Sequence, residues 1–355
     1  MDIVALVERI GEAPAAALFG LITGVIFGVA AQRSNFCLRA ATVEFARGSL
    51  GPKVSVWLLT FSTAMVWVQL AQMLGFFRAA DSRMMSVPGS WSGAVIGGLV
   101  FGVGMVLSRG CSGRLLVLAS TGNLRSVVSG LIFAVTAQMS LHGILAPLRD
   151  RLASLWITGA ENVSLLALLH LPQWAGLALG LGTAALALGL SLRNRIGAKV
   201  LIFASGVGFA VAVGWGLTWH LAQVAFDPVP VTSVTFSGPS ANTLMFFLDR
   251  NAVLEFDVGL VPGVVLGALG ASLLAREFRW QAFDSVPVMR RSMIGAVLMG
   301  FGAMLAGGCA IGNGVTGTSV FAATAWLALF CMWIGAVTTD FLLDQRGAKA
   351  PVGAC

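Results

Sequence analysis

The sequence predicts an all-α polytopic membrane protein: about nine transmembrane helices in two inverted-repeat halves, with short re-entrant helices. Three observations predict it. Hydrophobic residues make up 57% of the chain and charged residues only 10%, with a mean hydropathy of +0.89, a balance that soluble domains do not reach. Apolar stretches of about 20 residues, long enough to cross a hydrocarbon layer of roughly 30 Å, recur along the chain. A glycine pattern ending in cysteine occurs twice, as Gly97, Gly102, Gly104, Gly110 and Cys111 and, at the same spacing, as Gly295, Gly300, Gly302, Gly308 and Cys309.

The expected spans run approximately from Pro14 to Ala31, Trp57 to Phe77, Trp91 to Leu107, Val127 to Pro147, Trp174 to Leu192, Val200 to Val224, Val258 to Ala275, Met293 to Leu305 and Ala323 to Leu343. The first follows Glu8 and Glu12 rather than a basic segment, so it reads as a retained helix and not a cleaved signal. Within the spans, Gly24/Gly28, Gly98/Gly102, Gly176/Gly180 and Gly263/Gly267 are four-residue glycine pairs, whose usual work is close helix packing.

Charge sets the orientation. With the N-terminus outside, 16 basic residues fall on cytoplasmic segments and 6 on external ones, the bias that membrane insertion produces. The same dispersal argues against nucleic acid as a partner. A net charge of +7 and a pI near 9.9 are spread over loops, with no single basic face. Lipid is the expected surround, with the N-terminus outside and the C-terminus cytoplasmic.

One transport domain covers residues 1–355, with pseudo-repeat halves at 14–150 and 174–344 and a polar connector, roughly Leu148 to Pro172, between them. On this topology the spans preceding Cys111 and Cys309 run in opposite directions, as inverted repeats require. The counterpart of the Cys37 unit then falls between Trp215 and Pro239, a region with His220 and Ser237-Gly238-Pro239 but no cysteine.

The five cysteines form no Cys-x-x-Cys pair, which weighs against zinc, a disulfide framework or a membrane thiol oxidoreductase. Cys331 reads as packing and Cys355 as incidental. Around Cys111 and Cys309, Gly110, Ser112 and Gly113, and Gly308, Gly312, Asn313 and Gly314, are too glycine-rich and polar for a continuous helix. Broken backbone at membrane depth survives only where protein or water satisfies it, so Leu115–Ala119 and Val315–Ala322 read as re-entrant half-helices. A half-helix starting inside the protein presents unpaired N–H groups to an anion, and a thiol adds a weak, polarisable donor. Cys37, Cys111 and Cys309 are therefore candidate lining residues, while Arg33, Arg39, Arg109 and Arg114 are candidates either for attracting an anion or for anchoring helix ends at the membrane interface.

The segments QRSNFCLRAA, FGVGMVLSRGCSGRLLVLASTGNL and MGFGAMLAGGCAIGNGVTGTS resemble the signature blocks of the YeeE/YedE family of bacterial inner-membrane proteins. That resemblance implies a thiol-lined path for thiosulfate through Cys37, Cys111 and Cys309, uptake into the cytoplasm without enzymatic chemistry, and no prosthetic group. It also implies a separate TusA-like sulfur-carrier protein at the cytoplasmic face. A permease for another sulfur or selenium species is the alternative.

Overall fold

The computed structural model describes residues 3–250, 252–282 and 285–343, so Arg346, Lys349 and Cys355 lie outside the described residues. No strand forms among the described residues, and nine helical spans there are long and apolar enough to cross a membrane. The chain is a multi-pass membrane protein.

The first half contains α1 (Ile3–Ile10), α2 (Glu12–Ser34), α3 (Leu38–Ala46), α4 (Pro52–Met73), α5 (Arg83–Ser86), α6 (Trp91–Leu107), α7 (Ser112–Ser120) and α8 (Leu124–Leu141). The connector holds α9 (Ala146–Ala153) and α10 (Leu165–Leu168). Then follow α11 (Trp174–Arg193), α12 (Ala198–Val224), α13 (Gly238–Leu248), α14 (Phe256–Leu274), α15 (Val286–Leu305), a π-helical turn (Gly312–Gly317) and α16 (Ala323–Leu343). Local chemistry fixes the ends. Ser90 Oγ accepts from Gly93 N at 2.8 Å to start α6, and Asn123 Oδ1 accepts from Ser126 N at 2.9 Å to start α8. Asn35 closes α2 in the left-handed region at φ 52°.

Small residues set the helix crossings. A Cβ placed on Gly20, Gly24 or Gly28 of α2 would strike the backbone of Phe256, Leu260 or Val264 on α14, and one on Gly259, Gly263 or Gly267 would strike Ala17, Leu21 or Val25. The two helices therefore run parallel at backbone contact, which is how helices gain dispersion energy where lipid removes the hydrophobic drive. Antiparallel α6 and α15 meet in the same manner, with Gly104 against Gly295 and Gly302 against Gly97. All four glycine pairs noted in the sequence face neighbouring helices, and Cys331 Cβ sits beside Gly98. By contrast α11, only 22% buried over its most apolar window, faces outward along most of its length.

Packing partners repeat across the chain. α2 packs on α14 as α4 packs on α12, α6 on α16 as α15 on α8, and α3 on α4 and α16 as α13 on α14 and α8. α7 packs on α8 and α14 as the π turn packs on α16 and α4. Exchanging α2 with α12, α3 with α13, α4 with α14, α6 with α15, α7 with the π turn and α8 with α16 maps these contacts onto one another. α11, which packs on α4, lies outside the exchange.

Two faces follow. One carries Glu12, whose carboxylate accepts from Phe226 N, and the connector, which is stitched down by Ser90 Oγ to Ala153 O at 2.6 Å and by Asn162 Nδ2 to Thr324 Oγ1 at 2.8 Å. The other carries the Arg33–Glu277 pair at 3.7 Å and the Asn123–Gln281 side-chain bond at 2.6 Å.

Candidate functional site

Four interruptions converge between these faces: Cys37 before α3, Cys111 before α7, Ser237 before α13 and Cys309 before the π turn. The Gly113 position lies against the Phe236 ring and Ile311, and Phe236 in turn packs on Phe27 with ring centroids 5.1 Å apart and planes tilted by 58°. The thiols are closed over: Cys111 and Cys309 are 0% exposed and Cys37 3%. Two clefts, lined by Ala46, Val337 and Phe341 and by Leu171, Trp174 and Leu186, open on the apolar outer surface away from the thiols.

Each central sulfur faces two backbone amides. Cys309 Sγ accepts from Gly312 N at 3.4 Å and from Phe236 N at 3.3 Å. The amides of Arg114, also three residues on, and of Leu38 are directed at the Cys111 sulfur. Amides engaging the sulfur lone pairs leave its S–H to donate elsewhere. The second half-helix differs from expectation. Residues 312–317 form a wide π turn in which Thr316 N reaches back to Ile311 O at 2.9 Å, because Asn313 Nδ2 ties down Ala306 O at 3.1 Å and Gly308 O at 2.8 Å. Asn313 thus holds the turn that aims Gly312 N at the sulfur.

Among the four arginines, the structure brings Arg114 to the thiols. It is 5% exposed, donates from Nη2 to Asn35 Oδ1 at 3.3 Å, and has no partner for Nε or Nη1 among the described residues. Beside it Ser112 Oγ is also buried without a partner. Arg33 instead pairs with Glu277 and lies over the Phe203 ring at 5.9 Å. Arg39 lies on α3, and Arg109 follows α6 in the left-handed region at φ 58°, where the second copy has Gly307 at φ 75°. Of the glycines, Gly110 meets only ordinary contacts, Gly308 abuts Asn313, Gly314 abuts Leu329, and Gly312 leaves room for Thr235 Oγ1. Sequence reasoning missed Asn35, Thr235 and Phe236 as members of this cluster. Only their nearness to Cys37 and to Ser237-Gly238-Pro239 could have marked them.

Residues 33–338, a range that includes all four interruptions, match the family described as sulphur transport. The chain belongs to that family. Two relatives extend the likeness over nearly the whole length. Thiosulfate transporter TsuA of Escherichia coli is 29% identical over 365 residues, covering 95% of this chain and 98% of its own. Thiosulfate transporter TsuA of Spirochaeta thermophila is 25% identical over 346 residues, covering 92% of this chain and 99% of its own. Within the family frame, the thiols and Arg114 occupy the middle of this chain's two broken-helix pairs.

Proposed function

We propose that the protein carries thiosulfate, or a related sulfur oxyanion, unchanged into the cytoplasm through the series Cys309, Cys111 and Cys37. One observation carries the reading: a buried arginine whose Nε and Nη1 have no partner among the described residues stands beside a buried thiol and a serine hydroxyl that likewise has none there, at the start of a half-helix. An isolated charge is costly to bury, and a guanidinium whose donors are unsatisfied is suited to a transient anion. Thiosulfate offers charged oxygens to Arg114 and Ser112 and a soft terminal sulfur to the thiols. Thiol donors are weak, so each stop along the series is shallow enough to release its solute.

In this reading the packing exchange is an inverted repeat about an axis in the membrane plane, with α11 added ahead of the second half. The charge bias puts the Glu12 face in the periplasm and the Arg33–Glu277 face in the cytoplasm of a bacterial inner membrane. Cys37 would then release solute toward that cytoplasmic face, where a separate TusA-like carrier could receive sulfur. Growth on thiosulfate tests the proposal. Cells lacking other sulfate and thiosulfate importers should grow when given this chain and fail when given Cys111→Ala at equal membrane abundance. Equal growth of the variant would remove the thiol role.

A further inference from the structure

The fourth interruption has a hydroxyl where the other three have thiols. Under the packing exchange Ser237, the residue before α13, takes the place of Cys37, the residue before α3. Its side chain is 5% exposed and points to Thr235, with Oγ to Oγ1 at 3.4 Å, while Thr235 Oγ1 lies 3.9 Å from Cys309 Sγ. Among the described residues neither hydroxyl has another hydrogen-bond partner, and Thr235 retains partial exposure within this otherwise closed cluster. Gly312 makes room for it, since a Cβ there would collide with Thr235 Oγ1.

We propose that Thr235 and Ser237 form a hydroxyl station at the periplasmic end of the thiol series, which receives the oxygens of an incoming sulfur oxyanion and hands its terminal sulfur to Cys309. The assignment rests on the transport reading above. Two adjacent hydroxyls can both donate to a charged oxygen, and hydroxyls donate more strongly than thiols, so this station reads the oxyanion end where the thiols read sulfur. Its spacing suits transfer: one atom-to-atom step separates each hydroxyl from the next group and Thr235 from the sulfur. The Asp257 side chain, whose Oδ2 accepts from Asn242 Nδ2 at 2.9 Å, lies beside Gly238, the residue that follows the station.

Initial-rate uptake of radiolabelled thiosulfate by cells decides the matter. Thr235→Val/Ser237→Ala should raise KM about tenfold, the loss expected for one net hydrogen bond to a charged oxygen, with maximal rate unchanged. Thr235→Ser, which keeps the hydroxyl, should retain the wild-type KM. If the double variant does not reach the membrane, Ser237→Ala alone should raise KM by about threefold, part of the loss of one such bond. An unchanged KM in the double variant, or in Ser237→Ala where the double variant does not reach the membrane, would overturn the station. Absence of thiosulfate uptake by the wild type would instead overturn the transport reading on which it rests.

Discussion

Arg114 is the residue on which burial and charge conflict most directly. Its guanidinium is enclosed by the protein, yet Nε and Nη1 have no partner among the described residues. A group kept for stability would be paired, because an unsatisfied buried charge works against folding. Arg114→Met should therefore leave the melting temperature in detergent unchanged or raise it, the usual result when an apolar side chain of similar volume replaces an incompletely paired ion. Uptake should fall by about a hundredfold, roughly two lost charged hydrogen bonds. A lowered melting temperature with normal uptake would assign the residue to structure. Arg33 behaves differently: it is engaged by Glu277 at a face, and its loss should be felt weakly.

At the scale of elements, glycine does two jobs that the sequence pattern alone merges. Gly24 lies at the α2–α14 crossing, where a Cβ would press into Leu260 O, whereas Gly270 on the same α14 has nothing within 4 Å of the added atom. Gly24→Ala should cost about 1–3 kcal/mol through overpacking, and Gly270→Ala should gain about 0.5–1 kcal/mol from helix propensity. Melting temperatures of the two variants check the sign. The long spans were legible because about 20 apolar residues have few alternatives in a membrane. So were the breaks at Cys111 and Cys309, where glycine density defeats a helix. α3 and α13 were not legible, since LRAATVEFA and GPSANTLMFFL are too short to carry a clear period and begin without the Gly-Cys mark. The π turn was also hidden, because it depends on Asn313 reaching Ala306 and Gly308, a tertiary decision rather than a propensity. For the same reason the hydroxyls of Thr235 and Ser237 could not be connected to Cys309 from sequence: the two segments are separated by α13, α14 and α15.

For the whole molecule, the packing exchange relates two sets of broken helices that meet at one buried centre, and because the thiols are closed over, passage requires the groups covering them to move. Orientation is testable on a surface that the exchange leaves undisturbed. Phe226, 97% exposed, lies on the Glu12 face, and Trp280, 74% exposed, on the opposite face. A membrane-impermeant maleimide added to intact cells should label Phe226→Cys and spare Trp280→Cys, measured against the labelling of the unsubstituted protein, whose thiols among the described residues are at most 5% exposed. The reverse labelling would invert the proposed topology. Thiosulfate flux into proteoliposomes tests the central claim most directly. Purified wild-type protein should accumulate radiolabelled thiosulfate in vesicles at a rate that Cys111→Ala reduces to that of protein-free vesicles, whereas equal flux through wild type and Cys111→Ala would contradict a thiol-lined path.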